Sequence, residues 1–229
     1  IAKIPNLVYL CKYNKANKEE MIIELYKAGM EDCRTKMFDN LSFVSAPGDV
    51  VAITGGTLRG KSALLLSILG MKRLASGWAS VDGEPVHPAT SAYYRHFMSW
   101  VPQSFCFGAS TVRDIANSML RLKINKGEAY SDNDVIAGFN SLGLSGELMS
   151  QRFSSLDNSQ AQRVLLALAG VSSRPVLLLD QPTSFQGEAE RGMIAAYLRQ
   201  PQFADTSIVV TTDDPLLLQV ANKVVPLNE

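Results

Sequence analysis

Gly55-Gly56-Thr57-Leu58-Arg59-Gly60-Lys61-Ser62 is the stretch that decides the fold. It has the form GxxxxGK[ST]. Its glycines let the backbone curl until successive N–H groups point inward, making an anion nest at the start of a helix. There Lys61 reaches the β- and γ-phosphates of a nucleotide, and the Ser62 hydroxyl reaches Mg²⁺. Before it, Asp49–Thr54 (DVVAIT) is a continuous apolar run of the kind a buried strand shows. After it, Lys61–Leu69 places Leu64, Leu65 and Ile68 on one helical face. That context separates a phosphate loop from a chance string.

The other half of such a site is an acid at the end of a buried strand, and Pro175–Leu179 (PVLLL) ends in Asp180. Asp180 there holds Mg²⁺ through its water shell. Working outward, helical patterns cover Asp132–Leu142, Gln160–Val171, Glu188–Leu198 and Pro215–Ala221, and strands cover Ser207–Thr211 and Lys223–Leu227. No strand before Asp49 is picked out by this periodicity. Apolar strands alternating with helices predict an α/β fold with a parallel sheet covered on both faces, whose ligands sit beyond the strands' carboxyl ends.

Composition narrows the function. The 229 residues carry 22 Lys plus Arg and 22 Asp plus Glu, so the net charge is zero. A nucleic-acid binder would show a basic excess, and we expect none as partner. A phosphate needs only a few N–H groups and one lysine. Cys11, Cys33 and Cys106 show no metal or CxxC spacing and read as free thiols. The strongest apolar stretches, Ala63–Met71 and Val164–Val171, fall short of the roughly 20 residues a membrane span needs. Residues 1–20 include the polar run KYNKANKEE and read as a linker or N-terminal extension.

The order of motifs resembles the ATP-binding domain of an ABC transporter over about residues 22–228. Ser76–Val86 (SGWASVDGEPV) looks like the family's antiparallel hairpin strand and DG turn. Ser99–Ala116 resembles the Q-loop region with Gln103 as its glutamine, and "FGASTVRDI" is closer to exporters and to peptide- or toxin-secreting transporters. Leu156-Asp157-Asn158-Ser159-Gln160 stands where the LSGGQ signature stands. Val176–Ser184 occupies the Walker B place and Ile208–Asp214 the switch-histidine place. The resemblance implies a P-loop NTPase fold of ABC type over 21–229, with a mostly parallel sheet, an antiparallel β hairpin region and a helical subdomain over about 104–170. It implies ATP and Mg²⁺ as cofactors. Residues 55–62 with Ala63 and Gln103 contact the nucleotide, and Ser62, Gln103 and Asp180 the metal.

Departures from the pattern set the functional question. Gln181 stands where the family has the glutamate that acts as general base, and a carboxamide takes no proton. Thr212 replaces the switch histidine. Asp157 replaces the signature serine, where its charge repels the γ-phosphate that the signature meets on the opposite subunit, and Asn158 and Ser159 replace two glycines. Ser184-Phe185-Gln186-Gly187 lacks the aspartate of the next loop, Leu58 stands for a usual glycine, and Asp32 falls where the adenine-stacking aromatic is expected. An engineered glutamate-to-glutamine exchange accounts for Gln181 and leaves the other changes unexplained. Arg113 and Asp114 read equally as a solvated helix start or as the exporter segment facing the membrane domain. His87 and His96 read as surface or turn residues, and Trp78 and Trp100 as packing.

The expected function is therefore an ATP-binding domain of an exporter-type ABC transporter, with weak or partner-dependent hydrolysis. It would pair with a second such domain and a transmembrane domain fused upstream, at the cytoplasmic face of a membrane. The length and the start at Ile1 read as a domain excised from a longer transporter. The alternative is a catalytically inactive regulatory or structural partner of a competent ABC ATPase domain. A soluble ABC protein of translation or repair and a non-ABC kinase fit less well.

Overall fold

Two sheets share one helix between them. The computed structural model describes residues 21–227 apart from 33–34, 56, 106, 109 and 122–129, and for Leu58 and Arg59 the backbone alone. The cysteines and the 1–20 segment lie outside the described residues. One sheet is parallel throughout, in the order β6 (Met98–Val101), β7 (Val176–Asp180), β8 (Ser207–Thr211), β3 (Val50–Thr54) and β9 (Lys223–Pro226). The other is antiparallel, in the order β2 (Thr35–Ser45), β1 (Ile23–Asp32), β4 (Ser76–Val81) and β5 (Glu84–Pro85). Helix α1 (Leu58–Ile68) lies between them. Its Ala63, Leu64, Leu65 and Ile68 join Ile23, Leu25 and Phe38 of the antiparallel sheet to Val51, Ile53 and Leu178 of the parallel one.

The expected alternation is present, and β3, β7, β8 and β9 begin and end within a residue of their expected bounds, while β6 is an addition to the expected strands. Residues buried on both faces read as unbroken apolar runs, which is why β3, β7 and β8 were legible. The hairpin β1–β2 was not. Its register shifts between Leu25 and Ala28, between Ala28 and Met30 and between Met30 and Glu31, and Lys27 takes a φ of 46°. Such bulges break the two-residue alternation by which a strand is recognised. The DG turn is present, with Asp82 and Gly83 at φ 53° and 78°, both left-handed as a tight hairpin requires.

The other face of the parallel sheet is covered by α3 (Val112–Leu120), α4 (Asp132–Ser141), α5 (Asn158–Val171) and α6 (Glu188–Tyr197), while α2 (Pro88–Tyr94) and α7 (Pro215–Leu218) are shorter. Every residue of α5 from Ala161 to Gly170 is buried, the pattern of a helix enclosed on all sides. Gly170 lets Tyr197 and Phe203 close on that helix, and burial pushes the Tyr197 hydroxyl up to about 12.

A Cβ at Gly170 would lie 2.1 Å from the Tyr197 hydroxyl and 3.1 Å from the Phe203 ring. Gly170→Ala should therefore lower stability by about 1–3 kcal/mol. Gly192 in α6 has nothing within 4 Å of that position. Gly192→Ala should raise stability by roughly 0.5–1 kcal/mol through helix propensity. Denaturant unfolding of the two variants checks both signs.

Candidate functional site

The carboxyl ends of β3, β7 and β8 lie side by side, and the chemically loaded residues follow them. After β3, Gly55 takes φ 69°, a conformation open to glycine, and Thr57 caps α1 by accepting from Gly60 N at 3.1 Å. Gly60 is a close approach: a Cβ there would meet Leu227 Cδ2 at 3.1 Å and Met37 O at 3.2 Å. Gly56 lies outside the described residues, and nothing further is described at Leu58 and Arg59 beyond their backbone in α1. Lys61 comes out of the first turn into the interior, with its side chain 1% exposed.

What meets Lys61 was not foreseen. Its ammonium forms an ion pair with Asp213, and the other oxygen of that carboxylate accepts from Gly55 N at 2.8 Å. Burial pushes the Asp213 carboxyl up, but the hydrogen bonds from Lys61 and Gly55 outweigh it and hold it below the ordinary carboxylate value. An anionic group thus already sits on the loop N–H and the lysine, and the loop fits a phosphate by its donors.

Ser62 and Asp180 are brought together as expected. The Ser62 hydroxyl donates to Asp180 Oδ2 at 2.6 Å, and Thr211 Oγ1 donates to Asp180 Oδ1 at 2.9 Å. This pair of oxygen donors suits a hard cation such as Mg²⁺. Among the described residues no group of three or more His, Cys, Asp and Glu forms a metal cage. Gln103 is half-buried and lines a cleft of about 270 Å³ with Asp32, Met37, Ser62, Ala63, Leu66 and Lys72. Among the described residues no aromatic ring lines that cleft. Tyr26 lies elsewhere, stacked on Trp78 at 5.6 Å between centroids on the outer face of the antiparallel sheet.

The altered positions have structural partners. Gln181 follows β7 at φ 50° and is 9% exposed. Its backbone N–H donates to Thr211 O, its carbonyl accepts from Gln162 Nε2 at 3.0 Å, and its own Nε2 is buried without a partner. Thr212 is fully buried. Its hydroxyl accepts from Asp214 N at 3.0 Å and so belongs to the turn into α7.

Asp157 is the N-cap of α5. It accepts from Gln160 N at 2.8 Å while the Gln160 side chain accepts from Asp157 N, a capping box that sets a negative charge at the positive end of the helix. Half-buried Leu156 packs against the core and Asn158 is exposed. Ser159 and Gln186, two departures in separate loops, bond each other: Ser159 Oγ donates to Gln186 Oε1 at 2.7 Å, and Gln186 Nε2 donates to Ser159 O at 3.2 Å and to Gln162 Oε1 at 3.0 Å. Through Gln162 this chain reaches Gln181. The signal in the sequence is a hydroxyl at Ser159 and a carboxamide at Gln186, two polar side chains in two altered loops.

Of the remaining candidates, exposed His87 caps α2 by accepting from Ala89 N, and exposed His96 gives its carbonyl to Arg174. Arg113 pairs with Asp132 and Asp114 completes the capping box of α3, so both have local structural work at a helix start. Trp100 is half-buried in β6.

A double-mutant cycle of Ser159→Ala and Gln186→Leu should return a coupling energy of about 1 kcal/mol, read from denaturant unfolding. Strict additivity would mean that the two side chains do not act together.

Comparison with known proteins agrees with this arrangement. The ABC transporter family model matches residues 38–184. The cytochrome c biogenesis ATP-binding export protein CcmA of Brucella abortus (strain 2308) is 30% identical over 188 residues, 81% of this chain and 82% of that protein. The hemin import ATP-binding protein HmuV of Nocardia farcinica is 28% identical over 150 residues, 65% of this chain and 52% of that one. In fold, the dimeric ABC transporter cassette MJ0796 superposes with a TM-score of 0.77 at 20% identity, covering 90% of this chain and 94% of that one. An ATP-bound bacterial Atm1-family ABC exporter also gives 0.77, at 18% identity, covering 91% of this chain and 37% of that one. On sequence and fold together, the chain belongs to the ABC transporter family, as an ATP-binding domain of the P-loop type.

Proposed function

We propose that this chain binds Mg-ATP at its own phosphate loop, hydrolyses it weakly by itself, and passes the energy of binding to a membrane transporter. The observation that carries this reading is the convergence of Gly55 N–H and the Lys61 ammonium on one anionic group. Residues Gly55 to Ser62 with Ala63 hold the phosphates, and Lys61 supplies the charge. Ser62 and Asp180 would hold Mg²⁺, and Gln103, which lines the cleft beside Ser62, would join them. A bound Mg²⁺ there neutralises charge on the phosphate oxygens. Asp32, Met37 and Lys72 line the adjoining cleft and would meet the base, with no aromatic ring among the described lining residues.

Gln181 is suited to orient the attacking water, since its buried Nε2 is free to donate, but it takes no proton. Thr212 lacks the imidazole of the switch histidine, and its buried hydroxyl accepts from Asp214 N. Weak turnover follows from both. Among the described residues no helix is long and apolar enough to cross a membrane, so the transport path in this reading belongs to a transmembrane partner. The site would work at the cytoplasmic face, closed against a second ATP-binding domain. The similarity to an export protein and the Phe107–Ile115 wording support export, while HmuV is named for import.

A second reading is favoured by one observation. The Asp157 carboxylate at the start of α5 and the Ser159–Gln186 bonds make a poor seat for another subunit's phosphate. On that reading the chain is a nucleotide-binding regulatory partner of a competent domain.

Lys61→Ala should remove Mg-ATP binding in a calorimetric titration. Gln181→Glu should raise steady-state ATP turnover about tenfold or more. Unchanged turnover in Gln181→Glu favours the regulatory reading. Wild-type turnover that survives Lys61→Ala intact overturns the site assignment.

A further inference from the structure

Asp213 occupies the seat a phosphate would take. It uses the two donors that the glycine loop brings together, one from the backbone and one cationic. The two partners differ in freedom: the Lys61 side chain is 1% exposed and that of Asp213 is 59% exposed. Asp213 belongs to the short connector between β8 and α7, and both of its neighbours are pinned. Thr212 N donates to Ile53 O at 2.9 Å, and Asp214 caps α7 by accepting from Leu216 N at 3.0 Å. The backbone is therefore held while the Asp213 side chain faces solvent, so it is the carboxylate that can leave.

We infer that Asp213 is a resident competitor for the phosphate seat, and that nucleotide enters by exchanging one anion for another. The terminal phosphates take over Gly55 N–H and Lys61 while the Asp213 carboxylate turns out to water. This inference rests on the proposed nucleotide site and adds a selectivity to it. A ligand with several phosphate oxygens outcompetes one carboxylate, whereas adenosine brings nothing to exchange. In the free chain the same contact keeps the buried Lys61 paired.

The test uses the full chain as wild type, Asp213→Ala and Asp213→Asn. Each is titrated with Mg-ATP and with adenosine, and its thermal unfolding is followed with and without saturating Mg-ATP. Asp213→Ala should bind Mg-ATP roughly tenfold tighter, the gain being moderated by the exposure of Asp213. Asp213→Asn should fall between it and wild type, and adenosine binding should not change. The ligand-free alanine variant should melt lower than wild type, and Mg-ATP should erase the difference. If the alanine variant does not fold without nucleotide, the isosteric asparagine carries the comparison. Mg-ATP binding that is equal or weaker in the variants overturns the inference and leaves the proposed function standing, as does a melting deficit that Mg-ATP fails to repair. Binding by the variants alone supports it, and absence of Mg-ATP binding in all three overturns the proposed function and this inference together.

Discussion

A lysine ammonium withdrawn from water needs a counter-charge, and the burial of Lys61 is the constraint around which this site is built. It follows from the position of α1. A helix held between two sheets has no side that faces solvent freely, so a cation in its first turn points into the protein. The adjoining elements answer that demand from far along the chain. Gly55 turns its N–H in, the connector after β8 brings a carboxylate 152 residues from Lys61, and the end of β7 sets Asp180 on Ser62. The strand order does the rest, because β7, β8 and β3 are neighbours and deliver their following loops to one place.

How much of this could be read from the sequence depended on whether a feature is local. The phosphate loop is legible because eight consecutive residues fix its geometry, and Asp180 because an apolar run ends in it. The contact of Asp213 with Lys61 has no local signature: TTDDP offers two acids, and only the fold decides that the first meets the lysine and the second caps a helix. The β1–β2 hairpin fails for a different reason, since its bulges scramble the alternation while its core residues remain apolar. Against the family pattern the signature and the loop after Walker B show only losses. In the structure Ser159 and Gln186 form a pair, and Asp157 is a helix cap.

That pair changes the meaning of a degenerate motif. A half-buried serine where the signature has glycine, and a buried glutamine near it, cost free energy unless their polar groups find each other. Here they do, and Gln162 extends the chain to the carbonyl of Gln181. The start of α5 and the segment after β7 are thereby tied within one subunit by buried hydrogen bonds. The altered residues form a consistent set and not a collection of unrelated losses.

The last strand has a bearing on how such domains associate. β9 lies at the margin of the parallel sheet, and its exposed side carries Lys223 and Pro226. Leu227 N points inward to Thr54 O, so the imino nitrogen of Pro226, one residue earlier, faces outward. A further strand arriving there would find a missing ladder donor and a lysine to desolvate. Edge-to-edge sheet extension, the usual route to filaments and aggregates, is thus discouraged at this margin.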